Sequence, residues 1–244
     1  MRPWLLVSGQ QMQVLALGGR QTQGLGDGVE DGGTWCASAA LLYADVPVDA
    51  HGRQLGDLLS AQASSHDGGY GFTTIRSGIP DSAVRFSVSS PQVRNGGTFP
   101  LSAWADQFGC TGGNEQFTLD WSGAPASARS FAVTMFDPDA PSGSGIWHWL
   151  VWDIPSGSTQ LTSALPAGAV AGTDSAGITG YLGPCPPAGD ITHHYEITVY
   201  ALNVASLDLP SSTPAALTTF SMSSHIIGYA EMTVDARRSA TQTD

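Results

Sequence analysis

Hydrophobic and polar positions alternate in short runs beyond about residue 79. In the clearest run Phe117, Leu119 and Trp121 share one face, while the residues between them are polar. Two other runs are mostly apolar, as in strands that are buried on both faces. The pattern predicts strands over 85–90, 116–121, 130–136, 147–154, 195–202 and 229–234.

Turns rich in Gly and Pro separate these runs, and many short strands joined in this way are typical of a β-sandwich. Thr213 followed by Pro214 predicts an N-cap with a proline at the first helical position, hence a short helix over 214–222. We therefore expect a mainly β chain, a β-sandwich of antiparallel or mixed sheets with a few short peripheral helices.

The first part of the chain has a different composition, rich in Gly, Gln and Asp, with little periodicity except for a short helix predicted over 53–63. We predict a flexible or weakly structured N-terminal extension over 1–75, one domain over 76–238 and a tail over 239–244. Whether the extension is a linker, a leader or an over-extended start stays open.

The charge balance narrows the classes of partner. The chain has 21 acidic residues, nine arginines and no lysine, a net charge of −12. An acidic surface repels nucleic acids and anionic lipids, so neither is an expected partner. No arginine lies between Arg129 and Arg237, so an anion site in that region must rely on His, backbone N–H groups and water, and its strength must depend on pH.

The location of the protein stays open between the cytoplasm and export. No apolar run approaches the roughly 18 residues that a membrane span needs, so no integral membrane association is expected. Residues 1–17 make a poor signal peptide, because polar residues interrupt their short apolar run.

The chain has three cysteines, Cys36, Cys110 and Cys185. Cys110 and Cys185 could pair if the chain is exported, but the odd count argues against a full disulfide framework, and two buried thiols are the preferred interpretation. No CxxC pair is present, which excludes a zinc site of that type.

The first stretch that could carry chemistry is 137–141, Asp-Pro-Asp-Ala-Pro, directly after an apolar strand. The prolines fix φ and remove donors, so the turn is rigid and orients the carboxylates of Asp137 and Asp139. For Asp139, capping of backbone N–H groups within the turn is as good an interpretation as a place in a site.

The second stretch is Trp147-His148-Trp149. A His between two Trp residues is expected to be partly buried, and taken alone it is interpreted as a core residue with one satisfied N–H. It becomes a site residue if Asp137 lies near it, because a neighbouring carboxylate fixes the tautomer and raises the pKa of an imidazole.

The third stretch is the loop 180–189, which is followed by His193, His194 and Tyr195. Its glycines allow close backbone approach and its prolines stiffen it, so free N–H groups there could cup an anion. Adjacent strand residues point to opposite faces, so only one of the two histidines can face a given pocket, and the other is expected to face solvent.

The order and spacing of these stretches resemble the phosphatidylethanolamine-binding protein family, also called Raf kinase inhibitor-like proteins, in its bacterial type. The resemblance covers roughly residues 79–236. The matching residues are Gly109-Cys110, Gly112-Gly113-Asn114, Leu119 to Pro125, Ser130-Phe131, Asp137 to Pro141, Trp147-His148-Trp149, Gly180 to Pro187, His193-His194-Tyr195, Thr198 to Leu202 and His225.

The resemblance implies a β-sandwich with a small pocket at one end for phosphate-like or carboxylate groups. The residues that match the family's pocket or support it are Asp137, His148, His193 and Tyr195, with Gly183 and Pro184 as wall, Trp147 as aromatic rim, and Asp139 and Pro141 in the supporting turn. Two departures stand out. Gln116-Phe117 replaces the family's Ser-Pro, and His194 replaces an Arg, which removes a fixed positive charge near the pocket.

We therefore predict a non-enzymatic binding protein for a small anionic or polar ligand, with no cofactor. One alternative is a hydrolase in which Asp137 orients His148 or His193 as general base, although no Gly-x-Ser-x-Gly elbow is present. Another is a metal site of Asp137, Asp139, His148 and His193. Regulation of a protein kinase or protease follows from the family resemblance alone, and a homodimer stays open.

Overall fold

Two β-sheets, one α-helix and one 3-10 helix form the part of the chain that the computed structural model describes, residues 70–240. The predicted helix over 53–63 and nearly all of the predicted extension lie outside the described residues, and the domain limits near 75 and 238 stay predictions. The strands are β1 (Val84–Arg85), β2 (Ser87–Ser89), β3 (Gly97–Thr98), β4 (Leu119–Ser122), β5 (Ser130–Asp137), β6 (Ile146–Pro155), β7 (Gln160–Leu161), β8 (Val170–Ala171), β9 (His193–Leu202) and β10 (Ile226–Ala236). A 3-10 helix spans Leu101–Ala103, and helix α1 spans Ala215–Ser223.

The larger sheet has seven strands in the order β1-β10-β9-β5-β6-β8, with β3 also paired to β10. Strands β1 and β3 run parallel to β10, and the other pairs of this sheet are antiparallel. The smaller sheet has the order β2-β4-β7 and is antiparallel. The prediction of a mainly β sandwich with antiparallel and mixed sheets is confirmed.

The main core lies between the two sheets. Alternate residues of β5 and β9, among them Met135, Tyr195 and Ile197, pack there against Phe117 and Trp121 from the region of β4. A second cluster lies on the other face of the larger sheet, where Leu150 and Trp152 pack with Met222 of α1. Strands β5, β6 and β9 are thus covered on both faces, which explains their nearly continuous apolar sequence.

Two local predictions need correction. Thr213 does not cap α1: the N-cap residue is Pro214, and the Thr213 hydroxyl donates instead to the carbonyl of Pro210. The run predicted as one strand over 85–90 is two, because β1 pairs with β10 and β2 pairs with β4 in the other sheet. Strands of two residues, such as β7 and β8, have too little sequence to show a period.

The interpretation of Cys110 and Cys185 as two buried thiols is wrong, because they form a disulfide with their Cα atoms 6.0 Å apart. The bridge joins the loop before β4 to the loop before β9 across 75 positions of sequence. No helix within residues 70–240 is long and apolar enough to cross a membrane.

Candidate functional site

The end of β5 and the start of β9 lie side by side at one edge of the larger sheet. These strands are antiparallel and Phe136 pairs with Glu196, so Asp137 at the end of β5 lies near His193 and Tyr195 at the start of β9. Because side chains alternate along a strand, these three point to the same face as the main core.

His148 reaches the same face through an irregularity in β6. Met135 pairs with Trp149 and Phe136 with Trp147, so His148 is an extra residue without a partner on β5. Such a bulge breaks the alternation and redirects a side chain. His148 lines the same cavity as Asp137, while Trp149 packs in the core between the sheets and Trp147 lies on the opposite face of the sheet.

A buried ion pair forms the centre of this arrangement. His193 is 0% exposed and its Nδ1 donates to Oδ2 of Asp137 at 2.8 Å. On the other side of the ring, Nε2 lies 3.4 Å from Oδ2 of Asp190, close to the limit of a hydrogen bond. Both carboxylates are buried, with Asp137 2% and Asp190 5% exposed.

The turn after β5 fixes the orientation of Asp137. Its Oδ1 accepts hydrogen bonds from the backbone N–H groups of Asp139 and Ala140, at 3.0 and 3.1 Å. The carboxylate therefore closes its own turn with one oxygen and holds His193 with the other. Asp139 accepts instead from the backbone N–H and Nδ1 of His194, at 2.8 and 2.7 Å.

The loop 180–187 supplies another wall. A Cβ at Gly183 would lie 2.2 Å from the carbonyl oxygen of Ala103, so only glycine allows this close approach. Asn114 fixes the loop from the other side, because its Oδ1 accepts from the N–H of Gly183 at 2.8 Å and its Nδ2 donates to the carbonyl of Tyr181.

These elements enclose a cavity of about 340 Å³. Six of the nine predicted site residues line it: Asp137, Pro141, His148, Gly183, His193 and Tyr195. Its other walls are mostly apolar, and none of the residues within 70–240 that line it is Lys or Arg.

The structure does not place Trp147, Pro184 or Asp139 in this cavity. Trp147 lies on the opposite face of the sheet, against Phe136 with ring centroids 4.3 Å apart, so it does not form the expected rim. Pro184 is buried behind the wall and its carbonyl accepts from Ala105. Asp139 lies on the far side of the turn. An exposed aromatic residue, Phe108, lines the cavity where Trp147 was expected.

Two buried polar atoms of the cavity, Nδ1 of His148 and the hydroxyl of Tyr195, make no hydrogen bond of good geometry within the described residues, although Asp137 and the backbone of Cys185 lie close to that hydroxyl. The two rings contact each other edge to face, with centroids 5.1 Å apart. Unpartnered polar atoms are costly in a protein interior, so two in one cavity indicate a place where water or a ligand completes the hydrogen bonding.

The two histidines differ in their ionisation. Burial lowers the pKa of His193, but the hydrogen bonds and charges of Asp137 and Asp190 outweigh burial and raise that pKa above its ordinary value. Burial dominates at His148, and the pKa of His148 falls despite the nearby charge of Asp137. Burial and the charge of Asp137 raise the pKa of Tyr195, so its hydroxyl keeps its proton and can donate.

These opposite shifts predict a stability maximum near pH 6.5, the ordinary pKa of histidine. Because the pKa of His193 is raised on folding, this residue stabilises the fold fully below the unfolded-state pKa. That stabilisation is lost as pH rises through the folded-state pKa. Because the pKa of His148 is lowered on folding, this residue stabilises the fold fully above the unfolded-state pKa. That stabilisation is lost as pH falls through the folded-state pKa. Urea unfolding from about pH 5 to pH 9 measures both.

In the same experiment His148→Gln should reduce the loss on the acid side, and His193→Gln should reduce the loss on the alkaline side. Equal pH profiles for the two variants would show that the histidines do not carry these effects.

Two residues near the site escaped the sequence analysis. Asp190 is the second acceptor of His193, and its position three residues before that histidine was the available signal. Arg238 donates to the carbonyl of Gly109 at 2.6 Å and lies against the disulfide. It therefore places a permanent positive charge next to the disulfide, which the sequence did not indicate because Arg238 lies far from both cysteines along the chain.

Within residues 70–240 no group of three or more His, Cys, Asp or Glu side chains is arranged to hold a metal ion.

Comparison with known proteins shows a family match and close relatives. Residues 89–237 match the family described as Phosphatidylethanolamine-binding protein. The protein YbcL of Escherichia coli is 41% identical over 159 residues, which cover 62% of this chain and 87% of YbcL. YbhB of the same organism is 36% identical over 59% of this chain and 95% of its own length. The putative lipoprotein LppC of Mycobacterium tuberculosis is 41% identical over 57% of this chain and 66% of LppC.

Solved structures agree with this match. The crystal structure of E. coli YbcL superposes with a TM-score of 0.61 and 40% identity, covering 62% of this chain and 98% of that one. The structure of CT736 from Chlamydia trachomatis, described as a putative phosphatidylethanolamine-binding protein homologue, gives a TM-score of 0.54 at 28% identity and covers 65% and 99% of the two chains.

Proposed function

Since the chain belongs to the phosphatidylethanolamine-binding protein family, a family of ligand-binding proteins, we propose that the cavity around His193 binds a small phosphate- or carboxylate-bearing ligand without chemical turnover. One observation carries the proposal. The hydroxyl of Tyr195 and Nδ1 of His148 are buried in the same cavity as the His193–Asp137 ion pair, and neither makes a hydrogen bond of good geometry with a residue of 70–240. An oxygen-rich group of a ligand would satisfy both atoms.

The charges of the site limit the kind of anion that it accepts. The carboxylates of Asp137 and Asp190 balance or exceed the charge of protonated His193, and the described part of the chain contributes no Lys or Arg to the lining. Binding must then come from hydrogen bonds rather than from net charge, and we expect weak affinity. A ligand that can also donate a proton, such as a singly protonated phosphate ester, suits a neutral His148 better than a fully ionised one.

Two side chains of the cavity that could act as nucleophiles are already engaged in other bonds, which supports binding without turnover. Cys185 lines the cavity but is bound to Cys110, so it offers no thiolate. Ser142 also lines the cavity, but its hydroxyl donates to the carbonyl of Gly145 rather than to a histidine. Regulation of a protein kinase or protease stays a prediction from the family alone.

Titration calorimetry with acetate tests the proposal. Acetate stays ionised at pH 6 and at pH 8.5, so a change in its affinity reports on the protein. We expect tighter binding at the lower pH, because the raised pKa of His193 keeps the imidazolium present there and the charge is lost as pH rises. An affinity that is the same at both values would contradict the proposal.

The matched variants remove one tyrosine hydroxyl each. Tyr195→Phe should weaken acetate binding by about two- to tenfold, the range for one lost hydrogen bond. Tyr200→Phe removes a hydroxyl from the opposite face of the sheet, where it pairs with Thr134, and should leave binding unchanged. Equal effects of the two variants would show that Tyr195 makes no contact with the ligand.

We also propose that the protein works in an oxidising compartment. The Cys110–Cys185 bridge supports this, since disulfides persist mainly outside the cytosol, and one relative carries the name putative lipoprotein. Fractionation of the native host followed by thiol labelling of the purified chain tests it, and finding the chain in the cytosol with both thiols free would refute it.

A further inference from the structure

A second cavity, of about 540 Å³, lies on the opposite face of the larger sheet and shares no lining residue with the site around His193. It follows from the alternation of the same strands. Phe136 precedes Asp137 on β5 and Glu196 follows Tyr195 on β9, so both point away from the histidine site. The cavity therefore has its own chemistry and requires its own explanation.

Two carboxylates without a cationic partner line this cavity. Glu196 on β9 and Glu231 on β10 make no ion pair and no hydrogen bond with any other residue that the structure describes. Partial burial first, then the charges of Glu231 and Asp139, raise the pKa of Glu196, which shows that the two glutamates repel each other. Arg76 also lines the cavity but forms no ion pair with either of them.

The other wall of the cavity is aromatic. The rings of Phe136 and Trp147 lie together, with centroids 4.3 Å apart and planes 35° apart, and both line the cavity. Phe220 of α1 also lines it and leaves 75% of its side chain exposed. Aromatic faces attract organic cations and pack well against apolar stems, whereas a hydrated metal ion gains little from such a wall.

We propose that this cavity binds a small organic cation, with an ammonium or guanidinium group between Glu196 and Glu231 and an apolar stem against the ring of Trp147. The volume lies within the range of small-molecule sites, and the two glutamates outnumber Arg76 in the lining, so the cavity has a negative balance of charge that attracts cations. The chain has no lysine, and within residues 70–240 Arg76 forms no ion pair with Glu196 or Glu231, so no described cation competes with a ligand by pairing with these glutamates.

Titration calorimetry with agmatine, which carries both an ammonium and a guanidinium group on a four-carbon stem, tests the proposal at about 0.15 M salt, where long-range attraction is screened. Saturable binding to the full chain is expected. Glu196→Gln and Glu231→Gln should each weaken it roughly tenfold, the effect of losing one charged contact. Both glutamates keep much of their surface exposed, so the variants should fold.

Glu115→Gln is the matched control, because it removes the same charge from a residue outside the cavity. An equal loss of affinity in this control would mean that agmatine responds only to the net charge of the chain, and would overturn the proposal. Binding of Mg²⁺ or Ca²⁺ with the same dependence on Glu196 and Glu231 would overturn the assignment of an organic ligand. Acetate at the histidine site should leave agmatine affinity unchanged, so failure of either proposed site leaves the other testable.

Discussion

Replacing Asp137 by alanine should lower the free energy of unfolding by about 3–5 kcal/mol at pH 7, since removing one partner of a buried ion pair leaves the other charge uncompensated. His193 is 0% exposed, so solvent cannot take over from the lost carboxylate. Asp190 remains, but at 3.4 Å it makes a weaker contact than Asp137 at 2.8 Å. The variant also loses the oxygen that closes the turn onto Asp139 and Ala140. Urea unfolding at a series of pH values measures the loss.

Asp139→Ala is the control, because it removes a carboxylate from the same turn that pairs with His194, whose side chain is 55% exposed. Exposed pairs contribute little, and we expect a loss of about 1 kcal/mol, mostly from the backbone contact. The double variant Asp137→Ala with His193→Ala should lose less than the sum of its two single variants, because each single change already breaks the pair. Additive losses would show that the contact between Asp137 and His193 does not stabilise the fold.

Loss of the Cys110–Cys185 bridge should lower the free energy of unfolding by about 2–4 kcal/mol, because the bridge closes a long loop in the unfolded chain. The bridged residues are 75 positions apart in sequence. The same change should weaken acetate binding, since Cys185 lines the cavity and its loop would be held only by contacts such as the one between Asn114 and Gly183. Urea unfolding of Cys110→Ser, Cys185→Ser and the double variant, each with and without dithiothreitol, gives the comparison.

The pattern of the three variants distinguishes a covalent bridge from two packed thiols. If the bridge forms, each single variant and the double variant lose about the same stability, and dithiothreitol lowers the wild type but none of the variants. If the cysteines are only buried neighbours, the single losses add up in the double variant and dithiothreitol has no effect on the wild type.

Strand alternation and turn chemistry predicted most of the fold and part of the site. The runs around Leu119 and Ile197 show the period of their strands, and the structure places these residues in the main core as expected. The structure also brings Asp137 and His193 together, because their strands are antiparallel neighbours and each residue stands at a strand end. The sequence therefore indicated that Asp137 and His193 are neighbours, because Asp137 directly follows a predicted strand and His193 lies just before another.

What the sequence could not predict depends on single-residue irregularities and on contacts between distant segments. Regular alternation would place Trp147 and Trp149 on one face and His148 on the other, and only the bulge moves His148 and Trp149 to the same side. The family resemblance implied that Trp147 forms the rim, but the structure places Trp147 beside Phe136 on the opposite face. The parity of the cysteine count says nothing about whether two particular cysteines meet, so the bridge was missed.

The extra residue in β6 makes the site sensitive to insertions and deletions as well as to substitutions. Deleting Trp147 would restore regular pairing with β5 and leave the sheet intact, yet His148 would then pair with Phe136, point to the opposite face and contribute no imidazole to the cavity. A relative can therefore conserve every strand and keep a histidine in this segment, and still lack the imidazole that His148 provides to the cavity. When homologous chains are compared, the position of a gap here is more informative about shared chemistry than the percentage of identical residues.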